Sequence, residues 1–122
     1  MNNRIRILTK SENSDIKKMV KCGMRIISHY GKNKKLSIYE NMDAIYKMWL
    51  FDKMQKPSNA DIIFGLGSLF GNTLSCDYKT KWIVVSDKHG ESYAIEIFGY
   101  EIYPLDYVAK RVNTSMDDEP EF

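Results

Sequence analysis

The chain has 122 residues, 43% hydrophobic and 28% charged, with a formal net charge of +2. That is one domain's length and an ordinary globular composition, which excludes a disordered chain and one in need of metal or disulfide staples. No apolar run approaches the ~18 residues of a membrane span, and the short apolar stretch after Arg4 and Arg6 is broken by Thr9 and Lys10, too early for a secretory signal, so a cytoplasmic location is expected.

Three helices are expected first. Ile16, Met19, Val20, Gly23, Ile26, Ile27 and Tyr30 recur at helical spacing, with Lys17, Lys18, Lys21 and Arg25 between them. Ser11 or Ser14 can cap this helix, and Gly31 can end it in a left-handed turn. Ser37 and Glu40 form a capping box for a second helix whose apolar side is Met42, Ile45, Tyr46, Trp49 and Leu50, with Lys56-Pro57-Ser58 as its stop. Ser58 caps a third, with Asp61 placed to suit its dipole. Ile62, Ile63, Leu66, Leu69, Phe70 and Leu74 cover a wide arc, as in a central helix. Gly65, Gly67 and Gly71 each cost ~1 kcal/mol in a helix interior, which suggests that another helix or the sheet packs very closely there.

The second half reads as strands. Trp82-Ile83-Val84-Val85-Ser86 is followed by a turn at Asp87-Lys88-His89-Gly90. Tyr93, Ile95 and Ile97 then alternate with Ala94, Glu96 and Phe98, Gly99 breaks the run, and Tyr100-Glu101-Ile102-Tyr103 follows as a third strand. Pro104 suits the first turn of a short helix with Leu105, Val108 and Val112 on one face. The expected architecture is α+β, with N-terminal helices packed on a small antiparallel sheet of about three strands and a short C-terminal helix. Residues 1–112 form a single domain, and 113–122 an acidic, flexible tail.

No catalytic or metal-binding constellation emerges. Gly65, Gly67 and Gly71 miss the dinucleotide fingerprint, because Phe70 stands where its third glycine belongs and no strand precedes them. His29 is explained by its place near a helix C-terminus, and His89 by an exposed turn. Cys22 and Cys76 read as two buried thiols rather than a disulfide, and with two histidines they make a poor metal set. Glu96, Glu101 and Asp106 could serve as paired carboxylates, but solvent-facing strand acids are commoner. The N-terminal lysines lack any nucleic-acid-binding signature, and the pI of about 8.4 is below that of such binders. The reading is of a non-enzyme with no cofactor, no metal, no membrane partner and no nucleic-acid partner.

The stretch Gly65-Leu66-Gly67-Ser68-Leu69-Phe70-Gly71-Asn72, then Lys81-Trp82, then Asp87 to Gly90, then Tyr103-Pro104-Leu105-Asp106-Tyr107-Val108-Ala109-Lys110-Arg111-Val112, resembles a bacterial family of small domains of unknown function, the one numbered 3806. The resemblance covers roughly residues 58–112, and its relatives include immunity proteins of polymorphic toxin systems. It implies no catalytic residues. Of its marked positions, Gly67, Gly71, Trp82 and Pro104 read as structural, unlike Lys110 and Arg111. It implies a partner, a cognate toxin protein bound by surface complementarity. A housekeeping or ligand-binding module of the same fold is the alternative.

Charge suggests where such a partner would bind. Residues 1–56 hold 13 Lys/Arg against 5 Asp/Glu, and residues 57–122 hold 5 against 11. The split is either a set of solvated helix faces followed by an acidic tail, or an acidic patch that steers a basic partner. On the second reading Glu91, Glu96, Glu101, Asp106 and the tail acids engage the toxin, with Tyr100 or Tyr103 as an aromatic anchor.

Overall fold

The computed structural model describes residues 4–54 and 56–117. In chain order they form β1 (Arg4–Ile7), α1 (Lys10–Tyr30), α2 (Ile38–Phe51), α3 (Asn59–Asp77), β2 (Trp82–Asp87), β3 (Gly90–Ile97), β4 (Tyr100–Ile102) and α4 (Pro104–Asp117). The sheet is antiparallel in the order β1-β2-β3-β4. The α+β class stands, with four strands instead of about three. The added strand is Arg4-Ile5-Arg6-Ile7, which pairs with β2 from Arg4↔Ser86 to Ile7↔Ile83. Its pairing partner lies far along the chain, and four residues alternating charged and apolar give little local signal.

Local chemistry fixes the helix ends. Ser37 accepts from the Glu40 N–H while Glu40 accepts from the Ser37 N–H, the expected box. Ser58 accepts from the Asp61 N–H at 3.1 Å. For α1 the cap is Thr9, not Ser11 or Ser14. Glu12 sits three residues on and completes a second capping box, so the helix starts earlier than its apolar spacing suggests. Gly31 ends α1 at φ 97°. α2 ends at Phe51, well before Pro57, with Asp52 as its C-cap. α4 continues past Val112 to Asp117; residues 118–122 of the acidic tail lie outside the described residues.

The glycines allow the helices to close on each other and on the sheet. A Cβ on Gly23 in α1 would run into the Gly65 carbonyl of α3. One on Gly67 would meet Leu105, and one on Gly71 would enter the Trp82 ring. α3 is therefore the central element, touching α1, the start of α4 and β2 by contacts only glycine permits. One core cluster gathers Ile26, Ile45, Trp49, Ile62, Leu66 and Val112 between the helices. Trp49 is fully buried, and its indole N–H donates to the Pro57 carbonyl at 2.8 Å. A second cluster, with Leu8, Ile16, Trp82, Val84 and Ile95, joins the helices to one face of the sheet. On the other face Ile83, Val85 and Ala94 are buried, with Tyr103 packed against them.

Candidate functional site

The β3–β4 end of the sheet stands in solvent. β3 and β4 are joined by Phe98-Gly99, with φ of 51° and 82°. Two successive left-handed residues make a tight hairpin turn that normally takes Asn-Gly. Here a bulky aromatic holds the first position, which is a conformational outlier. Phe98 is 86% exposed and Tyr100 is 75% exposed. The Tyr78 ring meets Phe98 edge-on at 5.9 Å between centroids. Below this tip, Glu96 and Glu101 stand directly opposite each other across the β3–β4 ladder. Like charges so placed repel. The Thr80 hydroxyl donates to the Glu96 carbonyl at 2.8 Å and ties the tip to the end of α3.

The six expected partner-binding residues fall into two groups. Glu96, Tyr100 and Glu101 lie together at the hairpin. Glu91, Tyr103 and Asp106 line an open cleft of about 610 Å³, with Asp15, Lys18 and Met19 of α1 and Phe64 of α3 as further walls. The Glu91 carboxylate accepts from Arg6 and from the Ser86 hydroxyl. Tyr103 is half-buried, so of the two expected anchors it is Tyr100 that stands free. Burial pushes the Tyr103 hydroxyl pKa up, and Glu101, Asp87 and Asp106 push it further. Phe98 was not singled out by the sequence, where it continues the strand alternation. The available signal was an aromatic immediately before the glycine that breaks the run.

A smaller cavity of about 240 Å³ lies between α2, α3 and α4, walled by Tyr39, Tyr46, Phe70 and Tyr107. Arg111 closes one side. Its guanidinium lies 4.5 Å over the Tyr46 ring and donates to Asp43 at 2.6 Å, while Tyr46 donates to the Arg111 carbonyl at 2.9 Å. Arg111 holds the Asp43 pKa below its ordinary value. Arg111 is thus also part of the scaffold, a latch between α2 and α4; Lys110 is exposed. Burial and Asp77 push the Tyr39 hydroxyl up to about 12. Both cysteines are free, and Cys76 is exposed where a buried thiol was expected. Among the described residues no group of three or more His, Cys, Asp or Glu is placed to hold a metal ion, and no helix is long and apolar enough to cross a membrane.

Comparison with known proteins bears on ancestry more than on this surface. Residues 39–120 match the family model described as "Domain of unknown function (DUF3806)". The match takes in most of α2, which lies before the stretch of roughly residues 58–112 that carries the resemblance. No curated protein matches the chain. A crystal structure from Bacteroides thetaiotaomicron VPI-5482 is similar in fold, with a TM-score of 0.56 at 12% identity. The likeness covers 96% of this chain and 48% of that one, so the chain spans about half the length of that protein.

Proposed function

The chain belongs to the DUF3806 family, and from that premise we propose that it is an immunity protein, a cytoplasmic binding module that neutralises a cognate bacterial toxin by surface complementarity and without chemistry of its own. The observation that carries this reading is Phe98, an aromatic ring held in a strained turn and left in water beside Tyr100 and two opposed glutamates. Strain and like-charge repulsion persist where a surface is kept for recognition. Exposed aromatics supply binding energy once desolvated, and the surrounding acids select a basic partner and speed its approach. Toxins that act on nucleic acids or nucleotides carry basic active sites, so an acidic plug would compete with their substrate electrostatically.

The reading requires a toxin gene beside this one, and the test begins by looking for it. Its product should co-purify with this chain and lose activity in the complex. Reversal of Glu96 and Glu101 to lysine should slow association several-fold and weaken its salt dependence, as steering charges do. Reversal of Lys17, Lys18 and Lys21 should do little. The opposite ranking would move the interface to α1. A second reading, a ligand-binding module, is favoured by the aromatic-walled cavity between α2, α3 and α4. A toxin that binds only when that cavity is filled would join the two readings; a chain with no toxin neighbour that binds a small aromatic compound there would replace the first.

A further inference from the structure

β3 is longer than the strand that covers it. β4 pairs only with Ile95, Glu96 and Ile97, whereas β3 begins at Gly90. The two-residue turn at Lys88-His89 makes Asp87↔Gly90 a hydrogen-bonded pair, and antiparallel pairs alternate from there. The backbone N–H and C=O groups of Glu91 and Tyr93 therefore point away from β2. The Ile97↔Tyr100 pair across the Phe98-Gly99 turn gives the same parity, since Ile95 and Ile97 direct theirs to β4. Beyond Ile102 the chain turns off at Pro104 into α4, and no described strand covers Glu91 and Tyr93 on that side. The open cleft lies there. Its walls carry the carboxylates of Asp15, Glu91 and Asp106 against Lys18, with Arg6 of β1 already paired to Glu91 at 3.2 Å, so three acids face two bases over the half-exposed Phe64 ring as apolar floor.

We infer that this cleft receives an extended segment of a partner protein, which adds to the open edge of β3 as a strand and places a basic side chain among Asp15, Glu91 and Asp106. The inference rests on the protein-binding reading above and names the mode of contact. Main-chain pairing with Glu91 and Tyr93 supplies affinity, and alternate side chains supply selection, as in other strand additions. A segment of about four residues spans ~13 Å at strand rise, enough to run along both edge-facing residues. The occupant is basic because the walls are acidic. The two tyrosines that flank the cleft feel that charge. Burial raises the Tyr93 pKa first, and Glu12, Asp15 and Glu91 add to it against Arg6. Tyr103 is raised by burial and then by Glu101, Asp87 and Asp106. The chain's own acidic C-terminal residues have the wrong sign to fill the cleft.

Hydrogen exchange on the full chain, read amide by amide, tests this. The probes are a synthetic peptide of alternating valine and lysine, its valine–glutamate counterpart, and the valine–lysine peptide interrupted by a central proline. With the first, exchange at the Glu91 and Tyr93 amides should slow about tenfold or more, and with the other two it should not change. Glu91→Pro removes an edge-facing N–H that no described strand uses and should abolish the effect. Glu91→Gln keeps that N–H and, like Asp106→Asn, should retain the effect with affinity several-fold weaker. Should Glu91→Pro not fold, the proline-interrupted peptide makes the same comparison. Equal binding of the acidic peptide, protection confined to β1, or no protection with any peptide would overturn the inference. So would self-association of the chain through β3 that Glu91→Pro removes, which would make the occupant a second copy. If the toxin binds and is neutralised while Glu91 and Tyr93 exchange freely, the cleft assignment fails and the immunity reading survives. If the peptide binds as expected but no toxin does, the cleft stands without it.

Discussion

At the α1–α3 crossing, Gly23 and Gly65 bring two helix backbones into contact, whereas at the β3–β4 turn Phe98 holds a full aromatic ring in water. The two regions use side-chain size in opposite ways. In the first, the sequence gives up helix propensity, ~1 kcal/mol per glycine, so that nothing stands between the packed elements. In the second it places a bulky residue where glycine or asparagine would be relaxed. A crossing of the first kind fixes geometry and tolerates almost no change. A turn of the second kind lies outside the core, with only the edge of the Tyr78 ring against it, and the partner proposed above would account for its cost.

The largest effect should come from breaking the tight side. Gly71→Leu drives a side chain into the Trp82 ring and Pro104, and Gly23→Ala puts a methyl against the Gly65 carbonyl. Each should cost ~1–3 kcal/mol or more, seen as a lower denaturant midpoint. Because Trp82 can yield a little and a backbone carbonyl cannot, Gly23→Ala is the more severe per atom added. An unchanged midpoint in either would show that the helix face is open and would revive α3 as a ligand surface.

A smaller effect should appear in acid. Arg6 on β1 and the Thr9 backbone hold the Glu12 pKa down to about 2. A carboxyl depressed in the folded state stabilises at pH above its ordinary value of about 4.3. That contribution is lost as pH falls from there through about 2. Denaturant midpoints measured across this range should decline, and Glu12→Gln should flatten that part of the decline. The pair is only part-buried, so the effect should also shrink with added salt. A decline unaltered by Glu12→Gln would mean that the Arg6–Glu12 pair does not help dock β1 on α1.

What could be read from the sequence follows the same division. The capping box at Ser37, the Ser58 cap, the Gly31 stop and the turn at Gly90 are local devices, and local chemistry revealed them. The close packing at the α3 glycines was also legible, because three glycines in one apolar helix have few other uses. β1 was not legible, since its four residues gain strand character only from β2, some eighty positions away. Thr9 was missed although Glu12 three residues on gives it the capping-box spacing that Ser11 and Ser14 lack; the apolar repeat, which begins only at Ile16, drew the expected start toward the later serines. The candidate surface was half legible. The acids and Tyr100 stand out by charge and type, but that they divide between a hairpin tip and a cleft depends on where β4 stops. Phe98 was hidden by its own fit to the strand pattern.

If the Phe98 tip is kept for a partner at the expense of the fold, Phe98→Asn should separate the two. Asparagine relieves a left-handed conformation that costs a bulky residue ~1–2 kcal/mol and restores the favoured Asn-Gly turn. Stability and toxin affinity should be measured on the same preparation. The expected result is a melting temperature equal to or slightly above that of the parent chain, a gain of up to ~1 kcal/mol, together with toxin binding weakened at least tenfold. A lower melting temperature with binding intact would contradict it, and would return Phe98 to the fold as a structural residue.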